Sequence, residues 1–188
     1  MTFTPAIAGR LAALGILGVI VQTTALSQIT VFGAPVDVFP VVVASVGLLM
    51  GAVPGACFGF AAGLFIDVAL MQTVGVTSLV YVLIGYGSGR LRELRDPAHG
   101  LTPMAVGAAA TAVASIGFAV LMFMLGVDAP VSFMLVRMIL VTIVVNTLLS
   151  IPLYALVRRI LLPFLPEDPR RRRRRAYTTG GLSPLSRA

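Results

Sequence analysis

The stretch GACFGFAAGLFIDVAL, residues 55–70, is apolar apart from one carboxylate, Asp67. It places Gly55, Gly59 and Gly63 at four-residue intervals, and Asp67 continues the series. A four-residue step turns an α-helix by only about 40°, so the four residues share one face. Because glycines let membrane helices approach closely, the stretch predicts a membrane helix that holds Asp67 against a neighbouring helix.

The composition of the whole chain indicates an integral membrane protein. Of its 188 residues, 58% are hydrophobic and only 11% are charged, which is more apolar surface than a water-soluble domain could bury. The fourteen basic residues are all Arg, and they give a net charge of +7. Most of them flank the apolar segments, which argues against nucleic acid as the partner. The single Cys57 excludes a disulfide and is expected to be a small packing residue.

The length of the apolar segments predicts an all-α fold. A transmembrane helix needs about 20 predominantly apolar residues, and six segments approach or reach this length. They are predicted to be six transmembrane helices in a membrane domain covering residues 1–165. The expected spans are residues 11–31, 36–50, 55–71, 76–89, 103–125 and 131–153.

The distribution of Arg predicts the orientation of these spans. Arg10 precedes the first span, Arg90 and Arg92 follow the fourth, and Arg158 and Arg159 follow the sixth. Since basic loops stay in the cytoplasm, both termini are expected there.

The C-terminal tail, residues 166–188, is rich in Pro, Gly, Ser and Arg and is expected to be disordered. Six consecutive arginines are expected to attract anionic lipids, with protein docking as the alternative. They are Arg170, Arg171, Arg172, Arg173, Arg174 and Arg175.

Two charged residues are predicted at membrane depth. Asp67 lies near the outer end of the third span and Arg137 near the outer end of the sixth, both on the order of 6 to 12 Å below the hydrocarbon surface. An unpaired charge there is costly, so the two are expected to form a buried ion pair. The pattern leaves open whether this pair has a role beyond packing.

Catalytic chemistry is not visible in the sequence. The one histidine, His99, lies in a basic loop, and the spans contain no carboxylate pair, no Ser–His combination and no metal cluster. We therefore expect no enzyme activity, cofactor or metal. A partner-binding role is the expectation that remains.

The chain resembles the bacterial family of the rod shape-determining protein MreD. The motif G-F-x-x-G-L-x-x-D is present as Gly59, Phe60, Gly63, Leu64 and Asp67. Gly75 and the pair Gly85–Tyr86 follow at the family's positions. The Pro-Asp-Leu motif that usually precedes the second span reads Pro35, Val36, Asp37 here.

This resemblance implies a scaffold of the machinery that inserts peptidoglycan into the side wall. It implies an inner-membrane protein that binds MreC directly and belongs to one complex with MreB and with RodA and its class B penicillin-binding protein. It also implies a six-helix fold similar to the substrate-binding subunits of energy-coupling-factor vitamin transporters. The alternative function is such a transporter subunit, which would need a polar or aromatic ligand pocket near the outside.

Overall fold

The computed structural model describes residues 5–24, 30–31, 34–35, 37–94, 102–126 and 133–161. These residues form six helices and one short antiparallel pair of strands. The helices are α1 (Pro5–Thr24), α2 (Phe39–Met50), α3 (Ala52–Ala69), α4 (Val76–Leu94), α5 (Thr102–Met124) and α6 (Phe133–Leu161). The strands are β1 (Thr30–Val31) and β2 (Ala34–Pro35), with Thr30 opposite Pro35. The fold is therefore all-helical in its architecture, as the sequence predicts, and the Arg-rich tail and His99 lie outside the described residues.

Helix α2 is the centre of the fold. All twelve of its residues are buried, which fits a sequence that is hydrophobic on every side. Phe39 and Val43 are among the residues with no exposed surface. The other helices pack around α2, which contributes more residues to the hydrophobic core than any other helix.

The start of α2 is fixed by polar contacts. The Phe39 N–H donates to the Asp37 carboxylate at 3.1 Å, and the Val38 N–H donates to the Gln22 side chain of α1 at 3.3 Å. Pro40, in the first turn, has no N–H to satisfy and has a φ suited to a helix. These residues satisfy the donors that a helix N-terminus leaves free.

Arginines mark one end of the helix bundle, which we call the arginine end. Arg10 donates to the Ile160 carbonyl at 3.1 Å, and Arg92 donates to the Leu49 carbonyl at 2.5 Å. The start of α1 and the ends of α2, α4 and α6 therefore lie together. Gly51, which has a φ of +103°, reverses the chain there between α2 and α3.

Helices α3 and α4 pack backbone against backbone. A Cβ added to Gly55 would lie 2.5 Å from the Gly85 carbonyl oxygen, and one added to Gly63 would lie 2.5 Å from the Ser78 Cα. One added to Gly59 would collide with the Tyr81 carbonyl. The glycine row of the sequence is thus the face on which α4 lies, and no larger residue fits there without moving the backbone.

Four of the described helices are long and apolar enough to cross a membrane: α1, α3, α5 and α6. Helix α2 is apolar but too short, because twelve residues extend only about 18 Å against a hydrocarbon core of about 30 Å. Helix α4 has Arg90, Arg92 and Glu93 in its last turns.

The prediction for Cys57 is wrong, since its side chain is exposed on the outside of α3 rather than packed.

The glycines of α4 provide a matched test of this packing. Gly85→Ala should destabilise the protein by about 1–3 kcal/mol or more, because its Cβ would meet the Gly55 carbonyl. Gly87→Ala should be neutral or stabilising by up to about 1 kcal/mol, since a Cβ at Gly87 meets nothing within 4 Å. Unfolding by SDS in mixed micelles measures both variants. Equal stability of the two would contradict the described α3–α4 contact.

Candidate functional site

Asp67 is fully buried and caps the N-terminus of α4. Its Oδ2 accepts a hydrogen bond from the Gly75 N–H at 2.7 Å, and Gly75, with a φ of +100°, immediately precedes the helix. A negative charge is stabilised there by the free N–H groups and by the helix dipole. The other oxygen, Oδ1, has no hydrogen-bond partner in the described part of the chain. The N-terminus of α4 therefore stabilises the charge of Asp67.

The predicted ion pair between Asp67 and Arg137 is not formed. Asp67 has no exposed surface, while Arg137 is exposed on the outside of α6. The inward stripe of α6 instead contains Met138, Asn146 and Ser150. The two charges match in depth along their helices, but they point to different sides of the bundle, and depth alone does not fix the direction of a side chain.

The remaining family-motif residues separate into buried and outward-facing groups. Gly55, Gly59, Gly63 and Gly85 lie in the α3–α4 contact. Phe60 and Leu64, on α3, are exposed. Tyr86 is also exposed, and its hydroxyl accepts from the Arg90 Nε at 3.1 Å while the guanidinium lies 5.6 Å from its ring centroid. The arginines 170–175 lie outside the described residues.

A second polar cluster, which we call the α2 entry cluster, holds the chain where it enters α2. It consists of Gln22, Asp37, Thr111 and Asn146. The Asn146 amide donates to the Asp37 carbonyl and, at 3.2 Å, to the Thr111 hydroxyl. Thr111 in turn donates to the Gly107 carbonyl at 2.9 Å. Asn146 has no exposed surface, and its carbonyl oxygen has no hydrogen-bond partner in the described structure.

This cluster lies deep within the bundle. Asn146 is near the middle of the 29-residue helix α6, so the backbone at Asp37 lies near the same depth. Non-helical backbone at membrane depth is tolerated only where protein or a polar cavity satisfies its hydrogen bonds. The α2 entry cluster meets that requirement, since it pairs both the Val38 N–H and the Asp37 carbonyl.

A cavity of about 500 Å³ adjoins the α2 entry cluster. Asp37 is the one charged side chain among the described residues that line it. The rest of the lining combines apolar residues from α2 to α6 with a smaller set of polar ones. The polar lining residues are Gln22, Asp37, Gln72, Thr77, Tyr81, Thr111, Ser115 and Thr142.

Tyr81 connects α4 with the start of α2 beside this cavity. It is 4% exposed, and its ring stacks on Phe39 with centroids 5.9 Å apart. Both Tyr81 and Asp37 line the cavity. The first residue of α2 is therefore packed against α4.

The described residues contain no group of three His, Cys, Asp or Glu side chains that could hold a metal ion. The cavity has both polar and apolar side chains in its lining, which is a combination suited to binding a ligand.

Sequence reasoning identified Asp67 but missed the α2 entry cluster. Gln22 and Asn146 are polar residues in two apolar segments far apart in the sequence, and neither segment indicates the partner of its polar residue. The signal that could have linked them is the shortness of the second apolar segment, since a helix that cannot span must begin among polar groups.

Comparison with known proteins gives one family. The model of the family described as rod shape-determining protein MreD matches residues 11–160. No curated protein and no solved structure matches this chain significantly.

The cap at α4 predicts a difference between the two charged residues. Asp67→Ala should destabilise the protein by about 1–3 kcal/mol, because the partly buried Gly75 N–H loses its acceptor. Asp67→Asn should retain much of the stability, since its amide oxygen can accept the same bond. Arg137→Gln should be silent, because Arg137 is exposed. Thermal unfolding in detergent tests all three, and a destabilised Arg137→Gln would indicate a buried partner after all.

The α2 entry cluster gives another prediction. Asn146→Ala should lower the free energy of unfolding by about 1–3 kcal/mol, since the partly buried Asp37 carbonyl would lose its donor. Thr147→Ala on the same helix is the control, because its hydroxyl donates only within α6, to the Ile143 carbonyl. The SDS unfolding assay measures the difference, and equal effects would show that Asn146 does not hold the start of α2.

Proposed function

We propose, since the chain belongs to the family of the rod shape-determining protein MreD and thus takes part in determining rod shape, that it is a non-catalytic membrane scaffold of cell-wall elongation. The observation that carries the proposal is the family match over residues 11–160, which covers nearly all of the helical bundle. The family is one of structural, shape-determining proteins. The comparisons give no support to the alternative of a vitamin-transporter subunit.

The proposed direct partner is MreC, bound through its single membrane span. Through MreC the chain would join MreB and the complex of RodA with a class B penicillin-binding protein, and so link to peptidoglycan synthesis. A scaffold of this kind needs a rigid face on the outside of its bundle. The backbone contact between α3 and α4 makes that pair of helices a rigid element.

The outward face of α4 is the proposed docking surface for this span. It presents Leu79, Leu83 and Gly87 in one stripe toward the outside of the bundle. A glycine inside a helix costs about 1 kcal/mol relative to alanine, and a Cβ at Gly87 would meet nothing within 4 Å of the described structure. The absence of a side chain at Gly87 allows a partner helix to approach closely.

The proposed location is the bacterial inner membrane, with both termini in the cytoplasm. The arginine end would then face the cytoplasm, in keeping with the rule that positive residues stay inside. The arginines 170–175 would lie at the same side and attract anionic lipids. The likeness of the fold to the substrate-binding subunits of energy-coupling-factor transporters stays a prediction.

Depletion of the protein followed by microscopy tests the function. Loss of the protein should turn rod-shaped cells round, and MreC should co-purify with the full chain in mild detergent. Normal rods after full depletion would contradict the role in cell shape. Normal co-purification of RodA without MreC would contradict the proposed direct partner.

A matched pair of glycine variants tests the docking surface. Gly87→Leu should abolish co-purification of MreC, because the larger side chain keeps the partner helix away. Gly9→Leu is the control, since Gly9 is also an exposed helical glycine with nothing within 4 Å, but on α1. Both variants should fold as the wild type does. Equal MreC recovery with both would contradict the α4 surface.

A further inference from the structure

The cavity beside the α2 entry cluster has the size of a ligand site. Its volume of about 500 Å³ lies within the range of roughly 300–1,000 Å³ that small-molecule sites occupy. Gln72, an exposed residue of the turn after α3, is among its lining residues. The cavity therefore reaches the end of the bundle opposite the arginine end.

The charge of the residues that line this cavity determines whether it favours a cation or an anion. Asp37 lines it, and none of the described lining residues is basic. The N-terminus of α2 offsets part of the carboxylate charge, but a helix end carries only about half an elementary charge. One Asp37 oxygen accepts the Phe39 N–H, and a carboxylate has further acceptor capacity. An anion would be repelled here and a cation attracted.

Tyr81 adds a hydroxyl to the same cavity. Its side chain is 4% exposed and lines the cavity. A tyrosine hydroxyl can accept a hydrogen bond from an ammonium group. The Tyr81 ring stacks on Phe39, two residues from Asp37, so both groups line the cavity near the start of α2.

The rest of the lining selects the kind of cation. Ile66, Phe118, Leu135 and Met138 give the cavity an apolar wall. An inorganic cation such as Ca²⁺ takes six to eight oxygen ligands, usually with several carboxylates among them. One carboxylate, with hydroxyl and amide groups and an apolar wall around it, suits a single charged group on an apolar body. We propose that this cavity binds a small organic ammonium ion, whose charged nitrogen lies between Asp37 and Tyr81 and whose apolar part packs against α5 and α6. This inference goes beyond the scaffold function and is independent of MreC binding.

Three probes of one shape test the proposal on the full chain in detergent. Phenethylammonium carries the charge, 2-phenylethanol is its neutral counterpart and phenylacetate is the anion. Isothermal titration calorimetry, corrected by titrations into empty micelles, should show phenethylammonium binding about tenfold or more tightly than the alcohol, as a hydrogen bond to a charged group would give. Phenylacetate should not bind. Equal affinity for ammonium and alcohol would overturn the proposal, as would displacement of the ammonium by millimolar NaCl.

Variants locate the site within the bundle. Asp37→Asn should remove the preference for the ammonium over the alcohol, and Tyr81→Phe should weaken it. Ala114→Leu should abolish binding of both probes by filling the cavity, because Ala114 is a buried lining residue. Ala109→Leu is the matched control, since Ala109 points outward from the same helix.

The variants keep the proposal falsifiable even where one fails to fold. If Asp37→Asn cannot be purified, the comparison of Ala114→Leu with Ala109→Leu still decides whether the probe enters this cavity. Unchanged ammonium binding in Ala114→Leu would overturn the proposal, and so would an equal loss in Ala109→Leu.

Discussion

Hydrogen bonds at the start of α2 are the constraint on which the rest of the structure depends. A helix of twelve residues, all buried, cannot reach both surfaces of a membrane. The chain must enter it inside the bundle, where backbone groups need partners from the protein or from a polar cavity. Gln22 and Asn146 supply partners from α1 and α6. Two helices far apart in the sequence are thereby tied to the same short segment.

Helix termini, and not arginines, stabilise Asp37 and Asp67 in the described structure. Both Asp37 and Asp67 accept a backbone N–H where a helix begins, and each is held within the bundle near that N-terminus. A carboxylate is stabilised there by N–H groups that would otherwise lack acceptors. The arrangement needs no arginine, which leaves Arg137 on the outside of α6.

The glycine row predicted the α3–α4 contact because the helix face on which the glycines lie depends on local geometry alone. Four-residue spacing fixes a face on any helix, and absent side chains leave only the backbone to pack there. The positions of Asp67 and Arg137 along their helices followed from the same arithmetic. Their relative direction did not, because it depends on how six helices turn about their own axes. The link from Asn146 to Asp37 spans 109 residues, and no local pattern contains it.

The enclosure of α2 also bears on how the chain is made. Its neighbours include α6, which is synthesised last of the six helices, and the donor that satisfies the Asp37 carbonyl comes from that helix. While the chain leaves the ribosome, α2 and its irregular entry therefore lack a complete set of partners. Gly51 joins α2 to α3 through a single-residue reversal, so the two helices can enter the membrane as one hairpin. The core is then completed only after the end of α6 has been synthesised, since Val157 and Leu161 belong to it.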